Sequence, residues 1–228
     1  MKKKNILFCC RENEKYSNRI SKYLISKTNL KIFKSKTYYE RLPKKFYKLD
    51  YDYIINFRSY LILDKKILNR SKIAINFHPS LPKYRGVGCA NYAIMNNDRH
   101  FGSTIHLIGK KIDSGKIINV KKFKVSKNIT LDNMLKKTHK SMYYQAITFI
   151  KNLLDGNVNI NEEISKNKFK WSKKYNSLKK LNKFYDLKIN IDKKMFQKYL
   201  RSTIVGNFRP TVSIHKEKFL HVPVKNRK

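Results

Sequence analysis

The sequence predicts an α/β fold: a mostly parallel, doubly wound sheet followed by a small C-terminal helix and β-hairpin. Short apolar runs alternate with segments of helical spacing through the first two-thirds of the chain, the pattern of repeated strand–helix units. The apolar fraction, 41% of 228 residues, is enough for one large core. Past Gly156 the composition turns polar and lysine-rich, which places a boundary there. The expected division is a catalytic domain over residues 1–156, then a linker and small helix/hairpin subdomain over 157–228.

Residues 4–10 read as the first strand. Ile20, Tyr23 and Leu24 give residues 17–26 helical spacing. Residues 30–33 form a short second strand, and 39–49 are expected to be helical apart from a break at Pro43. Residues 52–57 (DYIINF) are a buried strand, 58–62 its exit turn, and Asp64 can cap the short helix after it. Residues 73–75 end the next strand, and 89–96 are helical. Two strands, 104–108 and 116–125, precede a long helix over 131–154 that Gly156 terminates. Residues 157–176 read as a linker, 192–201 as a helix, and 211–215 with 219–222 as a terminal hairpin.

Composition excludes several classes. The MKKKNILFCC start lacks a cleavage site after its short apolar run, so it reads as a strand rather than a signal peptide. No stretch is long enough to span a membrane, so no membrane insertion is expected. Cys9, Cys10 and Cys89 fit no CxxC pattern, which argues for a reduced, cytoplasmic protein without a metal site. No GxGxxG follows the first strand, where Cys9-Cys10-Arg11-Glu12 stands, so NAD and FAD are not expected. The net charge of +38 comes mainly from lysines spread along the whole chain rather than from an arginine stripe. No specific nucleic-acid partner is therefore expected, although such a field attracts polyanions and favours a phosphorylated substrate or a polyglutamylated folate.

The most informative stretch is Asn76-Phe77-His78-Pro79-Ser80-Leu81-Pro82-Lys83-Tyr84-Arg85-Gly86. Strand alternation puts Asn76 and His78 on one face at a carboxyl end, where open α/β sheets bind ligands. Two prolines and a glycine then force a loop. An amide beside an imidazole can polarise a carbonyl and move a proton. Downstream, Gly102 to Gly115 is an apolar strand running into a polar turn that carries one carboxylate, Asp113.

The runs INFHPSLPKYRGVG and GSTIHLIGKKIDSG resemble the folate-dependent formyltransferases, and within them the nucleotide-sugar N-formyltransferases. The resemblance implies a Rossmann-like formyltransferase fold, with 10-formyltetrahydrofolate as donor and no metal. The implied acceptor is the amine of a nucleotide-linked amino deoxy sugar, destined for surface polysaccharide. It makes Asn76, His78 and Asp113 catalytic. It places Phe57, Arg58, Ser59, Tyr60, Leu61, Leu81, Gly109 and Asp113 at the cofactor, and Ser80, Tyr84, Arg85 and His106 at the acceptor, with Arg85 meeting a phosphate. Trp171, the only tryptophan, reads as an anchor for the tail rather than as a base-stacking platform. Methionyl-tRNA and glycinamide ribonucleotide are alternative acceptors. The short tail resembles that of the sugar enzymes, and its hairpin is a possible homodimer edge. A reading of another class is a basic RNA-binding protein on an inactive formyltransferase core; an intact Asn-His-Asp set argues against it.

Overall fold

The structure is a computed structural model that describes residues 3–38, 40–215 and 217–222. In chain order it contains β1 (Asn5–Arg11), α1 (Lys15–Lys27), β2 (Asn29–Ser35), a 3-10 turn (Lys44–Lys48), β3 (Tyr51–Phe57), α2 (Lys65–Leu68) and β4 (Ser71–His78). It continues with β5 (Arg85–Gly86), α3 (Cys89–Met95), β6 (His100–Leu107), β7 (Ile117–Lys124) and α4 (Leu131–Leu154). The remaining elements are α5 (Ile160–Lys166), β8 (Tyr175–Asn176), α6 (Leu178–Phe184), β9 (Asp186–Leu187), α7 (Lys193–Thr203), β10 (Thr211–Ile214) and β11 (Glu217–Leu220).

The central sheet has the order β2-β1-β3-β4-β6-β7. The first four strands are parallel, β6 runs antiparallel to β4, and β7 antiparallel to β6. Ile6 to Cys10 are wholly buried, as befits a central parallel strand covered on both faces. On one face, Met142, Ala146, Phe149 and Ile150 of α4 and Ile20 and Leu24 of α1 meet Phe8, Ile55 and Phe77. On the other, Phe46, Leu61 and Ile67 close over Leu7, Cys9 and Ile54. Each of these fully buried side chains contributes about 1.5–3 kcal/mol of transfer free energy. No helix among the described residues is long and apolar enough to cross a membrane.

Three expected elements differ. Of residues 39–49 only Lys44–Lys48 are helical, as a single 3-10 turn. Pro43 stands just before it and supplies no N–H, and the turn is held by burial of Phe46 and by its N–H donating to the Pro43 carbonyl at 3.0 Å. Tyr39 lies outside the described residues. The stretch expected as a linker contains α5, capped by Asn159, and the strand β8. The polar composition of that stretch hides its pairing, which is made through the backbone. The hairpin turn is tighter than expected, with β11 beginning at Glu217, while Lys216 lies outside the described residues.

Candidate active site

Register builds the first part of the site. Asn56 of β3 lies beside Asn76 of β4, and Asn76 opposite His106 of β6, so three polar side chains form a row across adjacent strands. One backbone carbonyl fixes their orientation. His106 Nδ1 lies 2.7 Å from the Leu107 carbonyl oxygen and must donate to it. Nε2 of the neutral ring is then an acceptor, and Asn76 Nδ2 donates to it at 3.0 Å. Asn76 Oδ1 in turn accepts from Asn56 Nδ2 at 2.9 Å. The row therefore presents Asn76 as an N–H donor beside the Asp113 carboxylate, with Asp113 Oδ1 3.5 Å from Nδ2.

Asp113 sits on the turn between β6 and β7 in the left-handed region, at φ 46°. Its Oδ2 accepts from the Gly86 N–H at 2.9 Å and lies 3.3 Å from His78 Nδ1. His78 Nε2 is 2.8 Å from the Tyr84 carbonyl oxygen, so this nitrogen carries a proton. A neutral His78 would then turn the Nδ1 lone pair toward an ionised carboxylate. A proton taken up by the pair would lie on the line between Nδ1 and Oδ2.

Burial alone would raise the Asp113 carboxyl, but the imidazole of His78 and the Gly86 N–H act against it, and the group is held at about 2. Burial pushes His78 below the usual histidine range, with Asp113 pulling the other way. Depression of the carboxylate is the direction this geometry favours. The burial of His78 makes the shared proton easy to release. Cys89 is no rival nucleophile: burial pushes its thiol up to about 12, and it donates to the Gly86 carbonyl oxygen at 3.3 Å.

These groups open into a cavity of about 540 Å³ at the carboxyl ends of β3 and β4. Asn76, His78, His106 and Asp113 line it, with Arg58, Ser59, Tyr60, Leu61 and Gly109 from the expected donor set. Phe57 and Leu81 do not line it: Phe57 is wholly buried against Phe77, and Leu81 is buried beneath the loop. The expected acceptor set divides. His106 joins the polar row. Ser80 is wholly buried, and its carbonyl accepts from Thr104. The Tyr84 ring packs against Phe101 and its hydroxyl donates to Asp98, so only its carbonyl serves the site. Arg85 spends its guanidinium on the carbonyls of Asp113, Ile112 and Ser172, which clamps the Asp113 turn instead of facing a phosphate.

Two contributors were missed. Asn56 carried a usable signal, a polar residue inside DYIINF one place before the strand end. Trp171, expected as a tail anchor, lies edge-on to both His78 and His106, with ring centroids 5.7 and 4.9 Å apart. No sequence signal ties it to histidines so far away in the chain.

An open α/β sheet thus brings an amide donor, an imidazole beside a carboxylate and a cavity together at its strand ends. The chain belongs to the formyl transferase family, whose family model matches residues 8–148. It is 34% identical over 110 residues to the methionyl-tRNA formyltransferase of Finegoldia magna, a match covering 47% of this chain and 34% of that protein. It thus spans about a third of that curated relative's length. In fold it is similar to a 4-N formyltransferase from Francisella tularensis, with a TM-score of 0.77 and 19% identity over 99% of this chain and 98% of that one. It is also similar to an N-formyltransferase from Helicobacter canadensis solved with folinic acid and dTDP-3-aminofucose. That likeness has a TM-score of 0.71 and 20% identity over 95% of this chain and 85% of that one.

Proposed function

We propose that the protein transfers the formyl group of 10-formyltetrahydrofolate to the amine of a nucleotide-linked amino deoxy sugar. The observation that carries this reading is the convergence of the Asn56–Asn76–His106 row and the His78–Asp113 pair on one cavity. The cavity suits a folate in two respects. The Tyr38 and Tyr60 rings meet along its wall at 4.4 Å. Asn56 lines it too, and its buried Oδ1 has no hydrogen-bond partner among the described residues, which leaves an acceptor for an N–H of a bound heterocycle. Lys110, Lys111 and Lys179 give the lining a positive charge suited to an anionic acceptor, while Arg58 is paired with Glu14 at 2.8 Å.

The bound donor supplies a formyl carbon on a nitrogen leaving group. Asn76 Nδ2 donates to the formyl oxygen as negative charge develops there. The amine must lose a proton as its new bond to the formyl carbon forms. Asp113, with His78, accepts that proton, and His78 returns one from Nδ1 to the departing nitrogen.

The comparisons divide over the acceptor, since the sequence relative is a methionyl-tRNA enzyme and the neighbours in fold include both sugar N-formyltransferases and a methionyl-tRNA formyltransferase. The TM-score of 0.75 to a sugar N-formyltransferase, against 0.70 to the methionyl-tRNA formyltransferase, favours the sugar nucleotide. Release of tetrahydrofolate is measured against TDP- and UDP-linked amino sugars, methionyl-tRNA and glycinamide ribonucleotide, with an Asn76→Ala control. Turnover on one sugar nucleotide, lost in the control, supports the reading. Turnover on tRNA alone replaces the acceptor with tRNA.

A further inference from the structure

Beyond the family-matched region, the chain returns to the catalytic centre through residues 171–176. The Ser172 N–H donates to the Pro82 carbonyl oxygen at 2.9 Å, and the Ser172 carbonyl accepts from Arg85 at 3.2 Å. Tyr175 and Asn176 form β8, which pairs in parallel with Arg85 and Gly86 of β5. The Val87 N–H closes the ladder on the Asn176 carbonyl oxygen at 2.9 Å. The Trp171 indole N–H donates at 2.7 Å to the carbonyl of Gly115, at the end of the turn that carries Asp113. The strap is thus bonded to both loops that hold the catalytic carboxylate, and it sets an indole against both imidazoles.

We propose that Trp171 is a positioning residue for formyl transfer: its indole, held by this strap, fixes the His78 and His106 rings and keeps bulk water from their edges. The inference rests on the formyl-transfer reading above. Three features carry it. Both imidazoles meet the indole in edge geometry, at interplanar angles of 68° and 85°, the favoured arrangement for aromatic pairs. The indole N–H is satisfied by Gly115, which locks the ring's rotation. His78 and His106 are 3% and 2% exposed, and they sit at the cavity wall where a donor would lie. The indole meets both imidazoles without itself lining the cavity, so it acts on the reaction through them.

Trp171→Phe and Trp171→Ala are compared with wild type. Phe keeps the aromatic contact and loses the bond to Gly115, so it also serves as the conservative rescue if Ala folds poorly. The expected result for Ala is a kcat lower on the order of 100-fold, the effect of roughly 1 Å of misplacement, with the acceptor KM little changed. Phe is expected to recover most of this loss. Tetrahydrofolate release without acceptor should rise in Ala relative to transfer, because water gains access. The acid limb of the kcat/KM profile should move with the substitution. His78 and Asp113 are the groups that bear on this limb, and His106, Arg85, Cys89, Tyr84 and Tyr175 also face the indole's partners. Wild-type kcat, coupling and pH profile in both variants, with only a lowered Tm, would reduce Trp171 to an anchor and overturn the proposal.

A readout independent of turnover separates this inference from the functional reading. Trp171 is the only tryptophan, and a protonated imidazole quenches an indole in contact. Emission of the ligand-free protein should fall on acidification, and the drop should shrink in His78→Asn. Emission that follows the His78 imidazole, with no formyl transfer to any acceptor, sinks the functional reading alone. Formyl transfer with pH-insensitive emission sinks the positioning role.

Discussion

Asn76 has only one orientation that satisfies its neighbours, and that is the one useful for catalysis. Its Nδ2 faces His106 and Asp113, and its Oδ1 is engaged by Asn56. Asn76→Ala is expected to lower kcat by about 10²–10³-fold, as for loss of an oxyanion donor, with folate affinity retained; single-turnover kinetics and a folate-binding titration check it. Asn56→Ala is expected to act by the same route more mildly, about tenfold in kcat, because Asn76 stays in place but its amide is free to turn. A kcat equal to wild type in Asn56→Ala would mean that His106 alone orients Asn76. At this scale the sequence was partly legible. Asn76 and His78 stand together at one strand end, and Asp113 in a glycine-flanked turn downstream. Arg85 misled because its guanidinium finds backbone carbonyls, and carbonyls carry no mark in a sequence.

Elements carry the next level of cause. The side of α4 near the site includes His139, which is largely buried beside Arg58 and Arg11. Burial first, and then the two guanidinium groups, pushes His139 down to about 3. The unfolded chain takes up this proton below about 6.5, whereas the folded protein refuses it until about 3. The unfolded state therefore binds more protons across that window, and stability falls as pH drops through it. His78, depressed by burial, adds in the same direction. Asp113, also depressed, acts in the same direction in a lower window: its stabilisation is present above the ordinary carboxylate range, about 4, and is lost as pH falls toward 2. Urea midpoints at pH 7.5 and pH 5 should differ in wild type and differ less in His139→Gln. An unchanged difference would remove His139 as the cause.

The loop strand β5 gives a second prediction at this scale. Gly86 has φ +87°, and a Cβ there would meet the Asn176 carbonyl oxygen at 2.1 Å. Gly86→Ala should push β8 away and move the N–H that holds Asp113, lowering kcat more than it lowers Tm. A loss of Tm with kcat intact would dissociate the strap from the chemistry. Among elements, the strongly patterned strands and α4 were readable because burial writes its period into the sequence. The 3-10 turn and β8 were not. One is set by a proline and a single buried ring, the other by backbone pairing with a distant loop.

Across the whole molecule, the net charge of +38 leaves most lysines without a carboxylate partner. An anionic acceptor should therefore show a KM that rises with ionic strength, while kcat, set in a shielded centre, should move little. Steady-state kinetics at two salt concentrations check this. A KM indifferent to salt would mean that the field plays no part in capture. The fold class was legible at this scale because alternating strand and helix patterns admit few topologies. The closure of the centre was not, since it depends on a tail whose residues, apart from one tryptophan, look like solvated surface.

That closure has a consequence in time. The bond from Trp171 to Gly115 spans 56 residues, and the one from Arg85 to Ser172 spans 87. Contacts between segments so far apart in the chain form late, because their closure entropy must be met before they return any stability. During refolding, far-UV ellipticity should therefore recover before the tryptophan emission of the closed centre. The sheet would assemble first as an inert scaffold, and competence for catalysis would arrive last, as a sign that folding is complete.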